Sequence, residues 1–144
     1  MTLKLDEFLP YRLSRLNEAV SNEIRPVYRD MYGLNRPEWR VLVAIAEIGP
    51  TTAKDIGKHS AQHKTKVSRA VHALQKRRWI SGQVDPEDRR SEILTLTKMG
   101  EQAYNSLIHP VLKEEARVMG LISSADQKQL LRVISKLEKA MNLI

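Results

Sequence analysis

No cysteine occurs anywhere in the 144 residues. That excludes disulfides, thiolate metal centres and thiol redox sensing. Aromatic residues are scarce as well, at 5% with a single Phe, so the core has to be built mostly from aliphatic side chains. No apolar run approaches the roughly 18 residues needed to cross a bilayer. The opening Met1-Thr2-Leu3-Lys4-Leu5-Asp6-Glu7 lacks the basic-then-apolar order of a secretory signal. The cytoplasm is the expected location, with no membrane partner. Catalytic apparatus is missing too. There is no Gly-x-Ser-x-Gly, no glycine-rich phosphate loop, no cysteine nucleophile and no carboxylate pair set beside a histidine. Neither an enzyme nor a cofactor is expected.

What the chain does have is a 42% hydrophobic content and a formal charge of +7. The first suits a packed core. The second is concentrated: residues 1–50 are neutral, residues 51–91 carry a net +6, and residues 92–144 carry +1. A basic block this local is the footprint of a polyanion partner. A membrane surface would ask for an amphipathic helix with bulky apolar residues opposite the charges, and the motifs in this block fit DNA better.

Residues 6–31 read as one long helix. Leu9, Leu13, Leu16, Val20, Ile24, Val27 and Met31 recur at spacings of three and four, a seam that needs a partner, either another helix of the chain or a second copy. Pro26 interrupts the pattern and predicts a kink or break. Asn35-Arg36-Pro37-Glu38 is a capping box opening a helix that ends at Gly49-Pro50. Thr52 to Asp55 opens a short helix, and a further helix spans about 62–78. Two strands, about 79–84 and 91–96, flank the turn-forming Asp85-Pro86-Glu87-Asp88. Thr97 caps a helix over about 98–119, with Pro110 predicting a second kink. Ser123 or Ser124 starts the last helix, where Leu130, Ile134, Leu137 and Met141 form another seam.

The predicted fold is therefore mainly α with a small β-hairpin wing. A winged helix-turn-helix lobe at 35–97 lies between a dimerisation helix at 1–34 and closing helices at 98–144. On the helix over 62–78, Val67, Val71 and Leu74 fall on the anchoring side. Thr65, Arg69, His72 and Lys76 fall on the opposite side, flanked by Lys64, Lys66 and Ser68, with no acid among them. Hydroxyls, an arginine and a lysine on one line can bond base edges and phosphates, and an α-helix fits the major groove. Thr52 and Lys54, opening the preceding short helix, are added to the expected DNA contacts. At the hairpin tip, Arg89 and Arg90 suit a narrow minor groove, and Asp88 is expected to orient one of them by a bidentate pair.

Three motifs in this order carry a family resemblance: Ser68-Arg69-Ala70-Val71, then Asp85-Pro86-Glu87-Asp88-Arg89-Arg90, then Leu96-Thr97-Lys98-Met99-Gly100. The chain resembles the MarR family of multiple-antibiotic-resistance-type regulators over nearly its whole length. The resemblance implies an obligate homodimer with interlocked first and last helices, a recognition helix in the major groove and a wing in the minor groove. It places the minor-groove arginine at Arg90, beside Arg89, and the orienting acid at Asp88. It further implies a repressor of a pseudo-palindromic DNA operator, released by a small organic effector such as an aromatic acid. Tyr11, Arg15, Trp39 and Arg40 are the candidates to contact that effector, since an arginine near an aromatic ring can hold a carboxylate.

The chain departs from the family pattern at Arg78, where a glycine is usual for a left-handed helix cap. It departs also at Gly82, where a charged residue is usual, and at His63, in place of an Asp. Two other readings differ in class. One is a metal-responsive regulator using His59, His63 or His72 with nearby carboxylates, although His59 and His63 straddle a turn and no metal site is expected. The other is a winged helix that binds DNA without sequence choice or serves as a protein-interaction module.

Overall fold

The Asn35 side chain accepts from the backbone N–H of Glu38 at 2.9 Å, and the Glu38 carboxylate accepts from the N–H of Asn35 at 3.2 Å. This reciprocal cap is the one the sequence predicts. It fixes the start of α2 (Arg36–Ile48) in a computed structural model that describes all residues 1–144. Ahead of it lies α1 (Leu9–Tyr32), preceded by a 3₁₀ turn at Leu5–Glu7. The helix expected from residue 6 thus begins three residues later. Phe8 is extended, and Pro10 takes the first turn, where a missing N–H costs nothing. After α2 come α3 (Ala53–Ser60), α4 (Lys64–Lys76), β1 (Ile80–Val84), β2 (Glu92–Leu96), α5 (Lys98–Met119) and α6 (Ser124–Ala140). This is a winged helix-turn-helix: α2, α3 and α4 followed by an antiparallel hairpin in which Ile80 pairs with Leu96 and Val84 with Glu92.

Neither internal proline ends its helix, so of the kink or break expected at Pro26 the break does not occur. α1 runs through Pro26 and α5 through Pro110. Beside Pro26, Tyr28 is buried and Ile24 and Val27 pack on the core. Leu107 and Val111 are buried around Pro110. Burial of neighbouring side chains offsets the one backbone bond that each proline forfeits.

Two packing units emerge. The first comprises Met1–Glu23 with Leu112–Ile144, and the second is Ile24–Val111. The second holds the entire buried core, from Tyr28 through Val41, Ile56, Val67, Leu74 and Leu94 to Leu107. Tyr28 stacks on Trp39 with centroids 5.3 Å apart, and Tyr32 meets Trp79 edge-on at 5.0 Å. In the first unit no side chain is buried within a single chain. Leu9, Leu13, Leu16, Leu130, Ile134, Leu137 and Met141 are all exposed. An apolar surface on this scale on two seams is far more than scattered exposed residues would give. Arg117 supplies polar tethers in this unit, donating to Glu23 at 2.6 Å and Glu114 at 2.8 Å. No helix is long and apolar enough to cross a membrane.

The junction between α4, the wing and α5 explains two of the sequence features. Arg78 adopts the left-handed conformation, φ 63°, and the N–H of Trp79 reaches back to the carbonyl of Leu74 at 3.0 Å. The helix therefore ends in the cap geometry a glycine would favour, in spite of the side chain. Thr97 donates its hydroxyl to the Arg78 carbonyl at 2.6 Å and accepts from the N–H of Gly100 at 3.1 Å. One hydroxyl thus fixes the α4 exit and caps α5. A left-handed non-glycine residue costs on the order of 1 kcal/mol. Arg78→Gly is expected to raise stability by about that amount, read as a higher midpoint in denaturant unfolding at unchanged slope. An unchanged or lower midpoint would mean that Arg78 earns its place by contacts that outweigh the strain.

Candidate nucleic-acid interface

The turn between α3 and α4 depends on Ala61 in a left-handed conformation, φ 52°, which swings α4 across α3. Val67, Ala70 and Leu74 of α4 are buried, and Val71 is half-buried. Anchoring that face leaves Lys64, Thr65, Lys66, Ser68, Arg69, His72 and Lys76 exposed. None of these seven side chains is tied up in an ion pair or a side-chain hydrogen bond within the chain, so their donors stand free for a ligand. Thr52 is half-buried, and its hydroxyl accepts from the N–H of Asp55 at 3.3 Å. Its first duty is capping α3. Lys54, two residues on, is exposed.

At the wing tip, the Asp85 carboxylate accepts from the N–H of Glu87 at 3.0 Å, and the N–H of Asp85 donates to the carbonyl of Ser91 at 3.0 Å. Asp88 does not pair with a guanidinium as expected. Its carboxylate accepts from the backbone N–H of Arg90 at 3.0 Å, and its carbonyl accepts from the N–H of Ser91 at 3.0 Å. A short Asp side chain in a turn reaches the amide two residues on more readily than a long side chain's end. Arg89 and Arg90 are exposed, held by backbone with their guanidinium groups free. Asp88→Ala is accordingly expected to weaken DNA binding several-fold, because Arg90 loses its fixed backbone. A titration of labelled duplex at two salt concentrations checks it. Tighter binding at both would mean that the carboxylate acts only as a repulsive charge.

Between α3, α4 and the wing lies an open groove of about 690 Å³. Of the residues named from sequence, it gathers Thr52, Lys54, Lys64, Ser68, His72 and Arg90. Thr65, Lys66, Arg69, Lys76, Asp88 and Arg89 lie outside it. A cationic helix face and a cationic hairpin tip on either side of a groove have the form needed to straddle a nucleic-acid strand.

Comparison with known proteins bears directly on this arrangement. Residues 32–91, which span α2, α3, α4 and the wing tip, match the model of the MarR family. Over this lobe the chain is similar to that family. Among similar sequences is the HTH-type transcriptional regulator YwoH of Bacillus subtilis (strain 168), 28% identical over 97 residues, covering 67% of this chain and 70% of YwoH. Among the solved structures that share the fold are two DNA-binding proteins. BpsR of Bordetella bronchiseptica, whose DNA binding is regulated by 6-hydroxynicotinic acid, superposes with a TM-score of 0.83 at 20% identity, covering 96% of this chain and 98% of BpsR. The transcriptional repressor CouR, bound to a 23-mer DNA duplex, gives 0.80 at 23% identity, covering 95% and 99%.

Within this lobe, Trp39 is half-buried and stacked on Tyr28, and Arg40 is half-buried beside it in sequence. Tyr11 and Arg15 belong to the other unit, where the Arg15 guanidinium lies 5.7 Å from the Tyr11 ring centroid. His59 bonds Glu47 at 2.7 Å, and no three His, Asp or Glu side chains group as a metal site. The polar groove residues Gln62, Gln75, Ser91 and Glu92 were not among the contacts expected from the sequence. The helical spacing 64, 68, 72, 75 does point Gln75 to the wing side. Glu92 is placed by the hairpin register, which Gly82, an isolated glycine in a strand, could have hinted at.

Proposed function

We propose that this protein is a homodimeric, sequence-specific DNA-binding repressor of the MarR family that a small organic effector releases from a pseudo-palindromic operator. The observation that carries the reading is the acid-free outer face of α4, with its donors unengaged, beside the free arginines of the wing. α4 takes the major groove, and Arg90 with Arg89 takes the minor groove. The uncovered apolar seams of the first unit support pairing with a second copy, which aligns two recognition helices on half-sites about 10 base pairs apart. Tyr11, Arg15, Trp39 and Arg40 are the proposed effector contacts. BpsR's response to a hydroxylated aromatic acid supports that ligand class.

Work divides along α4. Arg69→Ala is expected to cost about 1–3 kcal/mol and to relax preference at one base pair, as for a bidentate contact to guanine. Lys76→Ala is expected to weaken all sequences alike and lower the salt slope by about one. Selecting duplexes from a random pool with each variant checks this. Uniform loss in both would remove base reading from Arg69.

A further inference from the structure

Glu92 is an acid where the surroundings are basic. It is the one carboxylate among the residues lining the α3–α4–wing groove, which also carries Lys54, Lys64 and Arg90. No lysine or arginine pairs with it. Its Oε2 instead accepts from Gln75 Nε2 of α4 at 3.3 Å. The register sets Glu92 opposite Val84 and Leu94 opposite Gly82, and the Glu92 side chain leans diagonally along the ladder over Gly82. Any Cβ at position 82 would run into that carboxylate. A bare glycine makes the room, and an amide from the helix holds the charge on the groove side of the wing. The side chain is exposed, and no cation within the chain is paired with it.

Resting on the proposed DNA binding, we infer that Glu92 is a specificity-determining residue that keeps phosphates out of the foot of this groove. A complex held by backbone contacts alone settles its phosphates wherever cations collect, and the groove beside Lys54, Lys64 and Arg90 is such a place. A fixed negative charge there opposes that seating. A matched operator, held through base edges on the outer face of α4 and through the wing tip, does not need a phosphate at the groove foot. Discrimination then arises from a penalty on the wrong complex rather than from a contact in the right one. Gln75 is the positioning residue, keeping the charge where the phosphate would go.

Glu92→Gln removes the charge while keeping an oxygen for Gln75. Two probes are used: a duplex selected from a random pool by the wild-type protein, and a scrambled duplex of the same length and composition. Glu92→Gln is expected to bind the scrambled duplex roughly five-fold more tightly, with a salt slope steeper by about one. Its affinity for the selected duplex should change by less than about two-fold. Gln75→Ala, which frees the charge without removing it, should narrow the discrimination part of the way. An equal gain on both duplexes would reduce Glu92 to a general charge effect, and a loss on both would make it only a brace for the wing. No change on either would also overturn the inference. Wild-type protein that binds neither duplex would overturn the DNA-binding reading itself, and binding of both alike would overturn its sequence specificity.

Discussion

Gly100→Ala is expected to destabilise the protein by about 3 kcal/mol, the upper end for overpacking. A Cβ at this position would lie inside the van der Waals shell of the Trp79 carbonyl oxygen and press on the Trp79 carbonyl carbon. Both are backbone atoms, and neither can swing aside like a side chain. The carbonyl cannot retreat, because it accepts from the N–H of Thr97 at 2.9 Å. Thr97 in turn holds the Arg78 carbonyl and caps α5. Relief of the clash therefore breaks either the wing base or the first turn of α5. Thermal unfolding should show a fall on the order of 10 °C. A fall of less than 2 °C would mean that α5 can shift away from β1 at little cost, and that this junction is not the rigid foot of the wing.

The second large effect lies in the exposed apolar seam of α6, the proposed contact between two copies. Ile134→Glu is expected to yield a monomer at micromolar concentration and to lower operator affinity by a hundred-fold or more. Ile134 is 43% exposed in the single chain, so the substitution leaves the folded protomer intact. In a two-fold dimer the change appears twice, and each copy would bury a carboxylate without a partner, a cost of several kcal/mol. Loss of the dimer also loses the gain from tethering two half-site contacts. Sedimentation velocity with a parallel duplex titration checks both effects. A dimer that survives with wild-type affinity would place the contact between copies elsewhere on the chain.

The fold was largely legible in the sequence because its signals are local. The Asn35–Glu38 box, the Thr52 and Ser123 caps and the strand–turn–strand pattern each depend on residues within a few positions of one another, and each appears where expected. The exposed face of α4 followed from helical period alone. What stayed hidden depends on parts of the chain brought together only by folding. That Gly100 answers to the Trp79 carbonyl, and Thr97 to that of Arg78, follows from the approach of α5 to the wing base. The left-handed Arg78 defies its residue type because the α4 exit is fixed on both sides. Asp88 engages a backbone amide instead of a guanidinium because turn geometry sets that amide within its short reach. Glu92 needed the hairpin register before its place beside Gln75 could be seen.

Hydroxyl-radical footprinting of the wild-type protein, on a duplex it selects from a random pool, tests two-fold winged-helix binding most directly. The expected result is two protected patches related by a dyad, with recognition helices centred about 10 base pairs apart. Further protection is expected in the flanking minor grooves where the wings lie, and Arg90→Ala should remove it. A single asymmetric patch, or minor-groove protection that persists without the Arg90 side chain, would contradict it.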